Sequence, residues 1–354
     1  MANIIWAGTR FFGPKLEELG HKVYFVPHEP DRAFTWTDLL RRARLPSGQR
    51  PDLVMVADQS APPFVLGVEA FPCLTAFYAV DSHIHSWYPN YAQAFDFCLF
   101  SLKDHLPLFS DSEIPPERLL WSPPYMLDKV TEHETASAPD KTWDLLFVGK
   151  VEDSVNPERL TFLRNLKVRL GGIAELHWQS GNFLKLFPKA RLVLNHSIAG
   201  DLNFRVMEAL GCGACLLTPR VRNGQSELFE DGRDLFLFDQ GSAAEWGELV
   251  DLIERLLQSP ELCARTAACG LEKVNSEHLA IHRAKSFSEA FSGLLSSGTA
   301  KQAQTGAAAL VSNRLARHVE IRKNYLRLIY LLLAESEERP ALRKAYLEAA
   351  KPGK

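Results

Sequence analysis

The stretch DLNFRVMEALGCGACLLTPRVRNGQSELFEDGRDLFLF, residues 201–238, decides the fold. It passes from a polar loop into an amphipathic helix over 203–211, stops at Gly211 or Gly213, and enters two short apolar runs, ACLLT (214–218) and DLFLF (234–238). Short strands separated by helical segments belong to a parallel sheet, whose crossovers need helices. Asn203 or Asp201 is the candidate N-cap, with Arg205 in the first turn and Glu208 in the second. The free N–H groups and positive dipole end of such a helix suit a diphosphate. Arg205 would add a guanidinium fork, and the Glu208 carboxylate can accept both hydroxyls of a ribose. The same spacing also fits a capped helix with one surface Arg and one surface Glu, and spacing alone leaves both open.

Working outward, the pattern repeats on both sides. Toward the C-terminus come a strand pattern before a helix at 242–258 and a second helix from 260 to 273. Toward the N-terminus come ARLVLN (190–195), AELHW (174–178), a helix over 157–169 and WDLLFVGK (143–150). The first half has the same grammar: NIIWA (3–7), a helix over 12–19, HKVYFV (21–26), a helix over 35–44, PDLVMVAD (51–58), PCLTAFYAV (72–80) and FDFCLFS (95–101). Two α/β domains in series follow, with a ligand expected in the cleft that they face, at carboxyl strand ends. The reading sets an N-terminal Rossmann-like domain at 1–130, a linker at 131–142 (TEHETASAPDKT), a nucleotide-binding domain at 143–296 and a helical tail at 297–354. The tail's helix is expected from Asn313 to Glu338, basic first and apolar later. Such a helix covers a domain face or contacts a membrane surface or partner protein.

Composition narrows the class. A chain of 354 residues with 46% hydrophobic and 23% charged residues is globular and about two domains long. A net charge of -3 gives no field for holding a polyanion, so nucleic acid is not an expected partner. Six cysteines are too few for a disulfide scaffold, and no apolar run is long enough to span a bilayer, so a cytoplasmic protein is expected, free or peripheral to the membrane's inner face. Cys212 and Cys215 form a C-x-x-C without a second ligand pair, which reads as a helix-to-strand corner rather than a metal or redox site.

The segment EALGCGACLLT (208–218) resembles the Glu-Ala signature in the donor domain of GT-B glycosyltransferases. Asn203, Arg205 and Glu208 together resemble the N-x-R-x-x-E form of the spore-maturation-protein (CgeB-like) branch. SELFEDGRDLFLF (226–238), EHLAIHRAKSF (277–287) and LLFVGK (145–150) are similar to further donor-domain segments. AVDSHIH (79–85) resembles the acceptor-domain loop. The resemblance implies two Rossmann-like doubly wound domains facing a cleft, plus C-terminal helices. It implies transfer of a sugar from a nucleoside-diphosphate donor, expected to be a UDP-sugar, to a hydroxyl of a glycan, protein or lipid carrier.

On that reading Lys150, Asn203, Arg205 and Glu208 hold the donor, Gly8 lies near phosphate or acceptor, and Asp81 and His83 act on the acceptor hydroxyl. No D-x-D triplet is present, so no metal or other cofactor is expected. The large retaining branch of this superfamily has a second Glu eight residues before the first, contacting the sugar; here position 200 is Gly and Asp201 is one residue out of register, leaving retention or inversion open. His196 and Trp178 are read as packing or rim residues, one of which could touch the base. Two alternatives stand: a non-catalytic interaction module on the same fold, and an NAD-dependent oxidoreductase, suggested by the spacing of Glu29 from Gly8 but lacking G-x-G-x-x-G.

Overall fold

Apolar runs of three to six residues form the strands of the computed structural model, which describes residues 1–110, 116–130, 141–152, 156–197, 200–240, 242–296 and 326–351. Contacts divide the chain into two units, Met1–Pro123 with Arg283–Lys354, and Pro124–His282. Of the expected linker at 131–142, residues 131–140 lie outside the described residues, while Thr142 N–H already donates to Lys189 O (2.7 Å) within the second unit. The segment that follows Arg283 and the C-terminal helices group with the first unit, rather than with a donor domain reaching to 296 and a separate tail.

In the first unit, β1 (Asn3–Ala7), β2 (Lys22–Val26), β3 (Leu53–Ala57), β4 (Leu74–Ala79), β5 (Phe97–Phe100) and β6 (Leu119–Trp121) form one sheet ordered β2-β1-β3-β4-β5-β6. Every pairing is parallel, with Ile5 opposite both Tyr24 and Val54. β3 and β4 are buried along their whole length, as an interior parallel strand must be, and this is why they read as continuous apolar runs. β6 was not expected: three half-buried residues at a sheet edge, in a proline-rich passage, carry no periodic signal. Helix Trp36–Ala43 starts at a reciprocal capping box between Thr35 and Asp38.

The described part of the tail is two helices, with Pro340 at the start of the second. Residues 326–336 bury Leu326, Ile329, Tyr330 and Ala334, a three- and four-residue spacing, in the core of the first unit. Helix Pro340–Ala349 adds Leu342 and Tyr346, whose hydroxyl donates to Pro63 O (2.9 Å). The expected helix from Asn313 is thus described only from residue 326, and its basic first half lies outside the described residues. No helix among the described residues is long and apolar enough to cross a membrane.

In the second unit, β7 (Trp143–Val148), β8 (Leu176–Gln179), β9 (Ala190–Leu194), β10 (Leu216–Pro219) and β11 (Phe236–Phe238) are ordered β11-β10-β9-β7-β8, again all parallel. Helices Pro157–Leu170 and Ala243–Leu257 cover one face, and helix Phe204–Gly211 packs on the other against helix Pro260–Glu277. A Cβ on Gly270 would stand 2.5 Å from Asp234 O, so only glycine lets that helix approach so closely. β11 is shorter than expected because Asp234 turns back to accept from Glu230 N–H (3.0 Å).

Both sheets follow one rule. The second strand in sequence adds beside the first, and the third crosses to the first strand's other side. Each sheet therefore has a switch point between its first and third strands, where the carboxyl ends leave a crevice.

Candidate functional site

In the second unit that crevice lies between the carboxyl ends of β7 and β9, and a cavity of about 250 Å³ occupies it. Phe147, Arg159, Asn195, His196, Asp201, Asn203, Phe204, Arg205 and Glu208 line it. Three segments meet there: the end of β7, the first turn of helix Pro157–Leu170, and the passage from β9 into helix Phe204–Gly211.

Asn203 holds the N-cap position, with extended backbone, but its side chain does not cap the helix. Its amide donates instead to Asn195 Oδ1 (3.4 Å), and Asn195 in turn donates to Thr218 Oγ1 (3.0 Å) on β10. The first-turn N–H groups thus have no side-chain cap from Asn203. Arg205 Nε donates to Glu208 Oε2 at 3.1 Å, one turn apart on the helix face. A Cβ on Gly149 would lie 3.1 Å from Arg205 Nη1, so the glycine after β7 makes room for the guanidinium. Burial raises the Glu208 carboxyl above its ordinary range, and the Arg205 guanidinium opposes that shift.

A second cation belongs to the site. Arg159 stands over the Phe147 ring (5.4 Å) and donates to Lys150 O (3.1 Å). Burial and the neighbouring Arg205 lower its pKa, while Asp201 opposes them. His196, 7% exposed, packs its ring 4.6 Å from Phe162. Burial, reinforced by Arg159, pushes its pKa down to about 4, so the imidazole is neutral at pH 7. Arg159 Nε, His196 Nδ1 and Asn203 Oδ1 are buried without a hydrogen-bond partner. Buried polar atoms are normally paired, and three orphans around one cavity mark it as incomplete without a polar ligand.

Asn203, Arg205 and Glu208 are thus brought together as the sequence suggested, and His196 joins them. Lys150 is exposed and is not among the lining residues; its carbonyl serves Arg159, which takes the place expected of it. Trp178 also lies outside the lining, under the Lys167 ammonium. Arg159 was missed, yet a signal existed: it sits in the first turn of the helix after the first strand of a βα unit, the turn that faces a switch point. Cys215 lies beside Cys263 of helix Pro260–Glu277.

Gly8, Asp81 and His83 lie in the first unit. Gly8 has φ +104°, and a Cβ there would meet Ala57 O at 2.4 Å, so backbone packing alone demands glycine. Asp81 follows β4, accepts from the Ser60 hydroxyl, and donates its N–H to Asp58 Oδ2 (2.9 Å). His83 is exposed, with its ring 6.5 Å from that of His105. Glu29, the acid of the oxidoreductase alternative, is held by Arg42 and Arg32.

Residues 157–289 match the model of the glycosyl transferase-like family. No curated protein sequence matches the chain. Among solved structures, the chain is similar to a glycosyltransferase from Rickettsia africae, at 8% identity and TM-score 0.58, over 83% of this chain and 98% of that one. It is similar to Anabaena HepE in complex with UDP and glucose, at 13% identity and TM-score 0.58, over 83% and 100%. The pneumococcal O-GlcNAc transferase GtfA, in complex with UDP and GlcNAc, aligns at 12% identity and TM-score 0.50 over 69% and 57%. The chain has the GT-B fold of these glycosyltransferases, and the match to the glycosyl transferase-like model falls on residues 157–289.

Proposed function

We propose that this protein is a glycosyltransferase that binds a nucleoside-diphosphate sugar, UDP-linked for preference, at the crevice of the second unit and transfers the sugar to a hydroxyl of a glycan, protein or lipid carrier. The convergence of Arg205, Arg159 and an uncapped helix start on one cavity carries this reading. In transfer, the bond from the sugar's anomeric carbon to the diphosphate oxygen breaks and negative charge grows on the leaving diphosphate. The two guanidiniums and the helix N–H groups stabilise that charge where it develops. Glu208 is positioned to receive the ribose diol, and the neutral His196, with its unpartnered ring nitrogen, to hydrogen-bond the donor. No step in this scheme requires a metal ion, and activity should persist in EDTA.

On the acceptor side we assign Asp81 and His83. They follow the carboxyl end of β4, and either could take the acceptor's proton as the new bond forms. Two solved structures of similar fold contain UDP, which favours a UDP-sugar donor here. A thermal-shift panel of UDP-, GDP-, TDP- and CMP-sugars tests the reading, since a ligand that binds only the folded state raises its melting temperature. Stabilisation by one class, followed by transfer or slow hydrolysis of that donor, is expected. Stabilisation without turnover toward any acceptor or water would favour the non-catalytic module.

A further inference from the structure

A second cavity in the same unit opens at the opposite end of the sheet. It holds about 450 Å³, within the range of small-molecule sites, roughly 300–1,000 Å³. Lys141, two residues before β7, Arg191 and Leu192 in β9, and Gly213 and Cys215, just before β10, form its sheet side. The other wall is the end of helix Ala243–Leu257, with Leu256 and Leu257, and one face of helix Pro260–Glu277.

That face explains why the space is open. Pro260, Cys263, Ala264, Ala267, Ala268 and Leu271 recur at three- and four-residue spacing toward the cavity, and three of the six are alanine. Leucines there would fill it. The adjoining face of the same helix, with Thr266, Gly270 and Val274, is buried and closely packed. The same helix is thus tight on one side and hollow on the next.

The charged side chains that line the cavity are both basic, Lys141 and Arg191. Lys141 Nζ donates to the neutral carbonyl of Pro188 (2.9 Å), and burial lowers its pKa. Arg191 is held by Asp144 (2.9 Å) and by Leu257 O (2.5 Å). Among the described residues no acidic side chain lines the cavity. An apolar chamber with an ammonium at its rim suits a ligand whose body is hydrocarbon and whose end is an anion, since burying CH₂ groups is favourable and the anion can accept a charge-assisted hydrogen bond from Lys141.

We propose that this cavity is a binding site for a single-chain amphiphile with an anionic head. Its hydrocarbon lies against Leu192, Leu256, Ala267 and Leu271, and its carboxylate or phosphate meets Lys141. The site is separate from the donor crevice, with which it shares no lining residue. Cys263, half-buried in the cavity wall, becomes inaccessible when the chain is bound.

Calorimetric titration of the full chain with dodecyl phosphate, laurate and dodecanol, each below its aggregation limit, tests this. One saturable site is expected for the two anions, and the tighter of them identifies the head group. Ala267→Leu should weaken binding at least about tenfold by filling the chamber, and Lys141→Gln several-fold for the anions only. Added UDP should not compete. Absence of saturable binding, equal affinity for dodecanol, or full affinity in Ala267→Leu would overturn the proposal. Should that variant not fold, N-ethylmaleimide labelling of wild-type Cys263, read by peptide mass, decides: dodecyl phosphate should slow it at least about fivefold, and unchanged labelling contradicts the site.

Discussion

The two sheets share a strand order, yet their switch points are put to opposite uses. In the first unit the crevice between β1 and β3 is locked from within. Asp58, 5% exposed, accepts from Tyr88 Oη (2.6 Å) and from the N–H groups of Ser60 (2.8 Å), Val80 (3.0 Å) and Asp81 (2.9 Å). Gln59 donates to Thr9 Oγ1 (2.5 Å), and Gly8 sits hard against Ala57. In the second unit the equivalent crevice is a cavity with two guanidiniums and three unpartnered polar atoms. Where the first unit satisfies its loop with its own carboxylate, the second leaves polar atoms of both kinds, donor and acceptor, without a partner. A shared topology offers a site at both places, and side chains decide which one becomes a receptor.

The contrast breaks most visibly at Asp58. Asp58→Ala leaves a buried hydroxyl and three N–H groups without their acceptor and should cost about 3–5 kcal/mol of stability in denaturant unfolding, with nucleotide affinity in the surviving folded protein within about twofold. Unchanged stability would mean that the first crevice is not locked by this carboxylate.

His196 sharpens the other side. Its folded pKa is about 4 against 6.5 when exposed, so between those values the unfolded chain binds a proton that the folded one refuses. Stability from this group is complete above about pH 6.5 and is lost as pH falls toward 4, by up to about 3 kcal/mol. Thermal melts of the wild type and His196→Gln at pH 7.5 and 5 should show the smaller drop in the variant. Equal drops would move the acid sensitivity elsewhere.

Smaller effects are expected at the acceptor and ribose positions. Asp81→Asn or His83→Ala should lower turnover at least about tenfold with donor affinity within about twofold. Wild-type turnover in both would assign the loop to structure. Glu208→Gln keeps the shape of the site while weakening diol recognition, so it should lose a few-fold affinity for ribonucleotides and less for 2′-deoxy analogues. Equal losses would remove the ribose role.

What was legible in the sequence was what depends on local pattern. β3, β4, β7 and β9 stood out because interior parallel strands are mostly apolar, broken only by Thr75 in β4, Asp144 near the start of β7 and Arg191 near the start of β9, and helix Phe204–Gly211 because a polar cap precedes an amphipathic run and glycines follow. What escaped depends on long-range placement. Arg159 reaches the cavity only because its helix follows β7 at the switch point. Asn203 leaves its cap role because its amide donates to Asn195, just after β9, which is itself held by Thr218 on β10. Cys215 lies beside Cys263, far along the chain. Lys150 was selected by its position after β7, yet its side chain turns to solvent and only its carbonyl serves the site.

We propose that the second crevice is a diphosphate receptor built on Arg205. Calorimetric titration of UDP into the wild type and Arg205→Ala, at one ionic strength and pH 7.5, tests it most directly. The account predicts a single site in the wild type and a loss of about 1.5–3 kcal/mol in the variant, roughly ten- to 150-fold, with an unchanged melting temperature in the absence of ligand. Undiminished UDP affinity in a folded Arg205→Ala protein would contradict it.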